Sequence, residues 1–105
     1  MASCVAIGQY AMNSTAANAQ TGTIAIGKDA LTALTTGAGN TAVGYHALKY
    51  NTIGVNNVAV GYQALLANTT GHSNAAIGYQ SLKANTTGTV NTAIGWSSMM
   101  TNTIG

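Results

Sequence analysis

The sequence predicts an all-β fold, a parallel β-solenoid or β-roll built from 17-residue repeats, or an interwoven triple β-helix of the same period. Three observations carry this: a strict internal period, a short alternating apolar motif in each period, and an almost uncharged but polar composition. The motif Ala-Ile-Gly or Ala-Val-Gly starts at Ala6, Ala25, Ala42, Ala59, Ala76 and Ala93. From Ala25 onward the copies follow one another at a fixed 17-residue spacing, whereas the first interval, from Ala6 to Ala25, is longer by two positions. Constant spacing over many copies is the mark of a stacked repeat architecture. The chain therefore reads as a single repeat domain over 1–105, with an irregular first repeat at 1–22 and regular repeats at 23–105.

Other columns keep the same period. The motif glycines Gly27, Gly44, Gly61, Gly78 and Gly95 are followed by Lys28, Tyr45, Tyr62, Tyr79 and Trp96. Three residues beyond these lie Leu31, Leu48, Leu65, Leu82 and Met99. Asn51, Asn68, Asn85 and Asn102 open a second turn that ends at Gly54, Gly71, Gly88 and Gly105, and Asn40, Asn57, Asn74 and Asn91 open each new motif. Val58-Ala59-Val60 and its equivalents alternate β-branched residues with alanine, the period-two pattern of a strand with one large face. The expected repeat core is therefore Ile26, Val43, Val60, Ile77 and Ile94, together with the leucine column and Met99. A glycine after each strand marks a bend or a close backbone approach. The segment Gln63–Leu66 is expected to be extended, because two glycine-marked corners in so short a repeat leave little room for a helix. Asn-Thr-Thr-Gly is turn chemistry.

Only 4% of residues are charged, against about 25% in an ordinary soluble domain. The charged side chains are Lys28, Asp29, Lys49 and Lys83. Polarity comes from Asn, Thr, Ser and Gln, which pair in rows where stacked like charges would repel. A hydrophobic content of 47% argues against disorder. Three lysines are too few and too scattered for nucleic-acid binding. The apolar runs are four or five residues long, far short of the ~20 needed for a membrane-spanning helix. Met1-Ala2-Ser3-Cys4 has no basic start followed by an apolar core, so any export is expected to use a signal elsewhere.

The sequence offers little for catalysis. Asp29 is the only carboxylate side chain, which excludes a carboxylate pair within one protomer. His46 and His72 fall in different columns, and Cys4 stands alone. No enzyme, metal or cofactor is expected. Asn13-Ser14-Thr15, Asn68-Thr69-Thr70 and Asn85-Thr86-Thr87 match the N-glycosylation pattern, with repeated turn chemistry as the simpler account. Three large apolar residues per coil make a thin core, and Tyr45, Tyr62, Tyr79 and Trp96 would form an exposed stripe on a monomer. Self-association, as a homotrimer, is therefore expected. On a threefold axis, copies of a histidine or of an asparagine row could meet and hold an ion or water.

The consensus N-T-A-V-G-Y-x-A-L followed by N-T-T-G resembles repeats in tail fibres and spikes of phages and large viruses. The closest copies are Asn40–Leu48, Asn57–Gly71, Asn74–Gly88 and Asn91–Met99. The Ala-Ile-Gly step also resembles the head repeats of trimeric autotransporter adhesins, although those repeats are shorter than the one in this chain. The resemblance implies a homotrimeric, non-enzymatic rod on a virion: a fibre shaft that supports host attachment, in contact with a host-surface glycan or receptor. The alternative it implies is an adhesin head on a bacterial cell surface. A threonine row on a flat solenoid also suggests ice binding. Ice-binding arrays alternate as T-x-T, whereas Thr69 and Thr70 are adjacent and should face opposite sides of a strand.

Overall fold

A computed structural model describes residues 3–13 and 21–105. It contains six three-residue strands: β1 (Val5–Ile7), β2 (Ile24–Ile26), β3 (Thr41–Val43), β4 (Val58–Val60), β5 (Ala75–Ile77) and β6 (Thr92–Ile94). All pair in parallel, in chain order, in a single sheet. From β2 onward the register advances by one sequence repeat per strand, with Ala42 against Ala59 and Ala59 against Ala76. Between β1 and β2 it follows the longer first interval, Ala6 lying against Ala25. Each strand thus pairs with the next strand of its own chain, and the fold is a self-coiled parallel β-solenoid rather than an interwoven one. The molecule measures 33 × 22 × 16 Å.

The segment after each strand is not extended. In the fourth coil the amides of Ala64, Leu66 and Asn68 donate to the carbonyls of Gly61, Gln63 and Leu65, each at 3.2 Å. These are three overlapping tight turns. Gln63 and Leu65 have φ of 55° and 51°, and the equivalent residues of the other coils do the same. A left-handed residue costs roughly 1–2 kcal/mol when it is not glycine. The reason it is tolerated lies in burial: Ala64 and Leu65 are consecutive and both fully buried. An extended strand would send one of them outward. Curling the chain turns both inward. Amides of this segment still bond neighbouring coils, Gln63 to the Tyr45 carbonyl at 2.8 Å and Leu65 to the Ser81 carbonyl at 3.0 Å.

The core also differs from the sequence expectation. Inside the strands the buried column is alanine: Ala25, Ala42, Ala59, Ala76 and Ala93. Ile26, Val43 and Val60 are half-buried on the outer face, and Ile77 and Ile94 are exposed. The β-branched column assigned to the core is thus the sheet's outer face. The coil is narrow, and alanine is what fits between the strand and the leucines behind it. Those leucines, Leu31, Leu48, Leu65 and Leu82, are fully buried, whereas Met99 in the last coil is 43% exposed. Leu34, which stands in the asparagine column one coil before Asn51, joins the core as well.

Gly27, Gly44, Gly61 and Gly78 mark where the coils touch most closely. Gly61 has φ of +134°, and a Cβ there would lie 2.6 Å from the Gly78 carbonyl oxygen and 2.7 Å from its carbon. Neither neighbour can move without breaking the stack. Gly61→Ala should therefore destabilise the fold by roughly 3 kcal/mol or more. A chemical denaturation curve reads this, and a midpoint equal to that of the parent protein would refute it.

Candidate functional site: inner asparagine ladders and an outer aromatic column

Two asparagine columns run through the interior. Asn51, Asn68 and Asn85 are fully buried, as are Asn40 and Asn57, and Asn74 is nearly so. In the first column the Asn68 amide donates to Asn51 Oδ1 at 2.8 Å, and the Asn85 amide donates to Asn68 Oδ1 at 2.9 Å. In the second, the side-chain oxygens of Asn40, Asn57 and Asn74 accept the backbone N–H of the asparagine one coil on, each at 3.0 Å. The two columns meet at a glycine carbonyl. Gly71 O accepts from Asn57 Nδ2 at 2.9 Å and from Asn68 Nδ2 at 3.0 Å, closing the coil on itself. Gly54 and Gly88 repeat the arrangement.

These amides are therefore occupied inside each chain's own stack. Buried within one chain, they have no open edge at which an ion or water could be held between chains. Nor are Asn68 and Asn85 accessible for glycosylation. Asn13 is exposed, but Ser14 and Thr15 of its sequence pattern lie outside the described residues. At the foot of the second column Thr23 replaces asparagine, and its buried hydroxyl has no partner among the described residues.

Threonine forms a further row. The hydroxyls of Thr52 and Thr69 donate to the carbonyls of Thr69 and Thr86, at 3.2 and 3.3 Å. On the outside, Tyr45, Tyr62, Tyr79 and Trp96 stack face to face, with centroids 5.0, 5.0 and 5.3 Å apart and planes within 9° of parallel. The tyrosine rings cover one another's faces within one protomer, while Trp96, at the end of the column, is 77% exposed. Aromatic stacking contributes roughly 0.5–1.5 kcal/mol per pair beyond area burial. Beside this column the Gln80 amide donates to Gln63 Oε1 at 2.9 Å.

The charged groups concentrate at the second and third coils. Asp29 and His46 share a column, and Asp29 Oδ2 lies 3.0 Å from His46 Nε2 and 4.0 Å from Lys49 Nζ. The imidazole stacks on Tyr45 at 3.7 Å. Desolvation and the Lys49 ammonium lower the His46 pKa below its ordinary 6.5, outweighing the opposing pull of Asp29. His72 is exposed and away from this group, with Nδ1 3.4 Å from the Ser73 hydroxyl, and Cys4 is partly buried. Among the described residues no three His, Cys, Asp or Glu side chains converge in a way that could hold a metal. Among them, too, no helix is long and apolar enough to cross a membrane.

Asn68→Ala would remove a donor to two oxygens and leave the Asn85 amide without one acceptor. Each buried group left unpaired costs about 1–3 kcal/mol, so a loss of roughly 2–4 kcal/mol is expected on the same scale, readable by urea denaturation. A second expectation concerns pH. The folded state favours neutral His46, so the unfolded chain binds the proton first as pH falls. The stability contributed by neutral His46 is complete above pH 6.5 and is lost as pH falls from 6.5 through the lower folded value. His46→Gln, which copies Gln63 and Gln80, should flatten that part of a melting-temperature profile. An identical profile in the variant would show that His46 is not the group responsible.

Comparisons with protein-family models, curated proteins and solved structures find no match to this chain.

Proposed function

We propose that this chain is a structural shaft segment, a stiff rod that assembles with two further copies of itself and supports attachment to a host surface. The single observation that carries the proposal is the outer sheet face. Ile26, Val43, Val60, Ile77 and Ile94 form one continuous β-branched row down a stack of nearly identical coils. No strand residue on that face is charged. Such a face is suited to packing against another apolar sheet. The uniform coil, its asparagine ladders bonded from level to level, favours stiffness. Together with the tail-fibre-like repeat, this favours a place on a virion, in a fibre or spike.

A second reading, the head of a bacterial surface adhesin, is favoured by the Gln63–Gln80 amide pair beside the aromatic edges. Amide rows and ring edges can match the hydroxyls and C–H faces of a glycan. Ice binding is disfavoured, because Thr52 and Thr69 spend their hydroxyl protons on carbonyls along the stack.

Light scattering on the purified protein tests the assembly. A mass of three protomers of 10.5 kDa each is expected, and a clean monomer would sink the trimer. Val60→Asp puts a charge on the outer face while leaving the alanine and leucine interior untouched. It should keep the β-sheet circular dichroism but weaken association on the order of 100-fold. Ala59→Asp, which buries the charge inside the coil, should instead abolish folding.

A further inference from the structure

Tyr45, Tyr62 and Tyr79 each follow the strand glycine of their coil, and the strand register places those coils directly over one another. The rings are 5.0 Å apart at both steps, with interplanar angles of 9° and 7°. Each tyrosine ring therefore has a second, nearly parallel tyrosine ring as its neighbour in the next coil. The three residues are 39%, 41% and 38% exposed, so their edges are open while their faces are covered. Tyr10 and Tyr50 are more open still but stack on no other tyrosine among the described residues.

We propose that this column is a site of oxidative coupling, at which Tyr62 and a stacked neighbour, Tyr45 or Tyr79, become a dityrosine that staples adjacent coils. The oxidant is of the haem-peroxidase and hydrogen-peroxide class. Each phenol gives up one electron to the oxidised haem and its O–H proton to solvent. The two phenoxyl radicals join through the carbons adjacent to oxygen, forming one C–C bond. The hydrogen on each joined carbon then leaves as a proton, and each oxygen is reprotonated. Overall, one hydrogen peroxide takes two electrons and two protons and becomes two waters, and the protein becomes two hydrogens lighter. The partners belong to one chain, so the coupling does not rest on the trimer.

The test is brief exposure of the folded protein to peroxidase and hydrogen peroxide. The single-chain band is then isolated from a denaturing gel and mapped by fragmentation mass spectrometry. The expected product is two hydrogens lighter, fluoresces as dityrosine and joins Tyr62 to Tyr45 or Tyr79. Tyr62→Phe keeps a stacked ring but leaves Tyr45 and Tyr79 two coils apart, and it should lose the product. The double variant Tyr45→Phe/Tyr79→Phe should lose it too, whereas Tyr10→Phe/Tyr50→Phe should retain it. In denaturant the preference for Tyr62 should vanish. Full yield in both column variants, or links confined to Tyr10 and Tyr50, would overturn the proposal.

Discussion

A buried asparagine amide brings two donors and an acceptor that must find partners, and in this protein the neighbouring coil and the coil's own glycine carbonyl supply them. Asn68 reaches down to Asn51, Asn85 reaches down to Asn68, and each also bonds the glycine that ends its own coil. A slip of one residue between coils would strand a column of buried polar groups at once, at a cost of about 1–3 kcal/mol for each. The rest of the structure follows from that constraint. The strands can be three residues long because the interior ladders, and not the sheet alone, hold the register. The leucines stack over leucines, the tyrosines over tyrosines, and the glycines come close enough that no Cβ fits between them.

The near absence of charge is part of the same design. A column that repeats one side chain every coil cannot repeat a charge, since like charges would face each other a few ångströms apart. Amides and hydroxyls can repeat, because each presents a donor on one side and an acceptor on the other. In the second and third coils the signs are mixed: Asp29 lies below His46 in one column, with Lys49 alongside. The ladder ends where its chemistry changes. Leu34 occupies the position before Asn51, and Thr23 occupies the position before Asn40.

The two faces of each strand divide the work. The inner alanines let the coil close tightly on its leucines. The outer valines and isoleucines leave an apolar, uncharged strip along the stack, and that strip is the basis for proposing a self-assembling shaft. The aromatic column is more self-sufficient than an exposed stripe of separate rings would be, because its members cover one another. A stack whose asparagine ladders repeat from coil to coil can be extended without redesign, which is compatible with the proposed shaft.

Much of this was readable from the chain alone. The 17-residue spacing of Ala42, Ala59, Ala76 and Ala93 specified parallel strands in register. The leucine column could be recognised as apolar, whereas the Asn-Thr-Thr-Gly corners, read as turns, are bends whose glycines lack a positive φ. Period alone could not say which face of a three-residue strand points inward, since Val58-Ala59-Val60 alternates equally well either way. Nor could local propensity reveal that Ala64 and Leu65 are both buried through successive left-handed turns, because that conformation is unfavourable until the closed coil rewards it. The length of each coil was a property of the sequence; the direction each residue faces was decided only by how narrow the closed coil must be for its buried amides to meet.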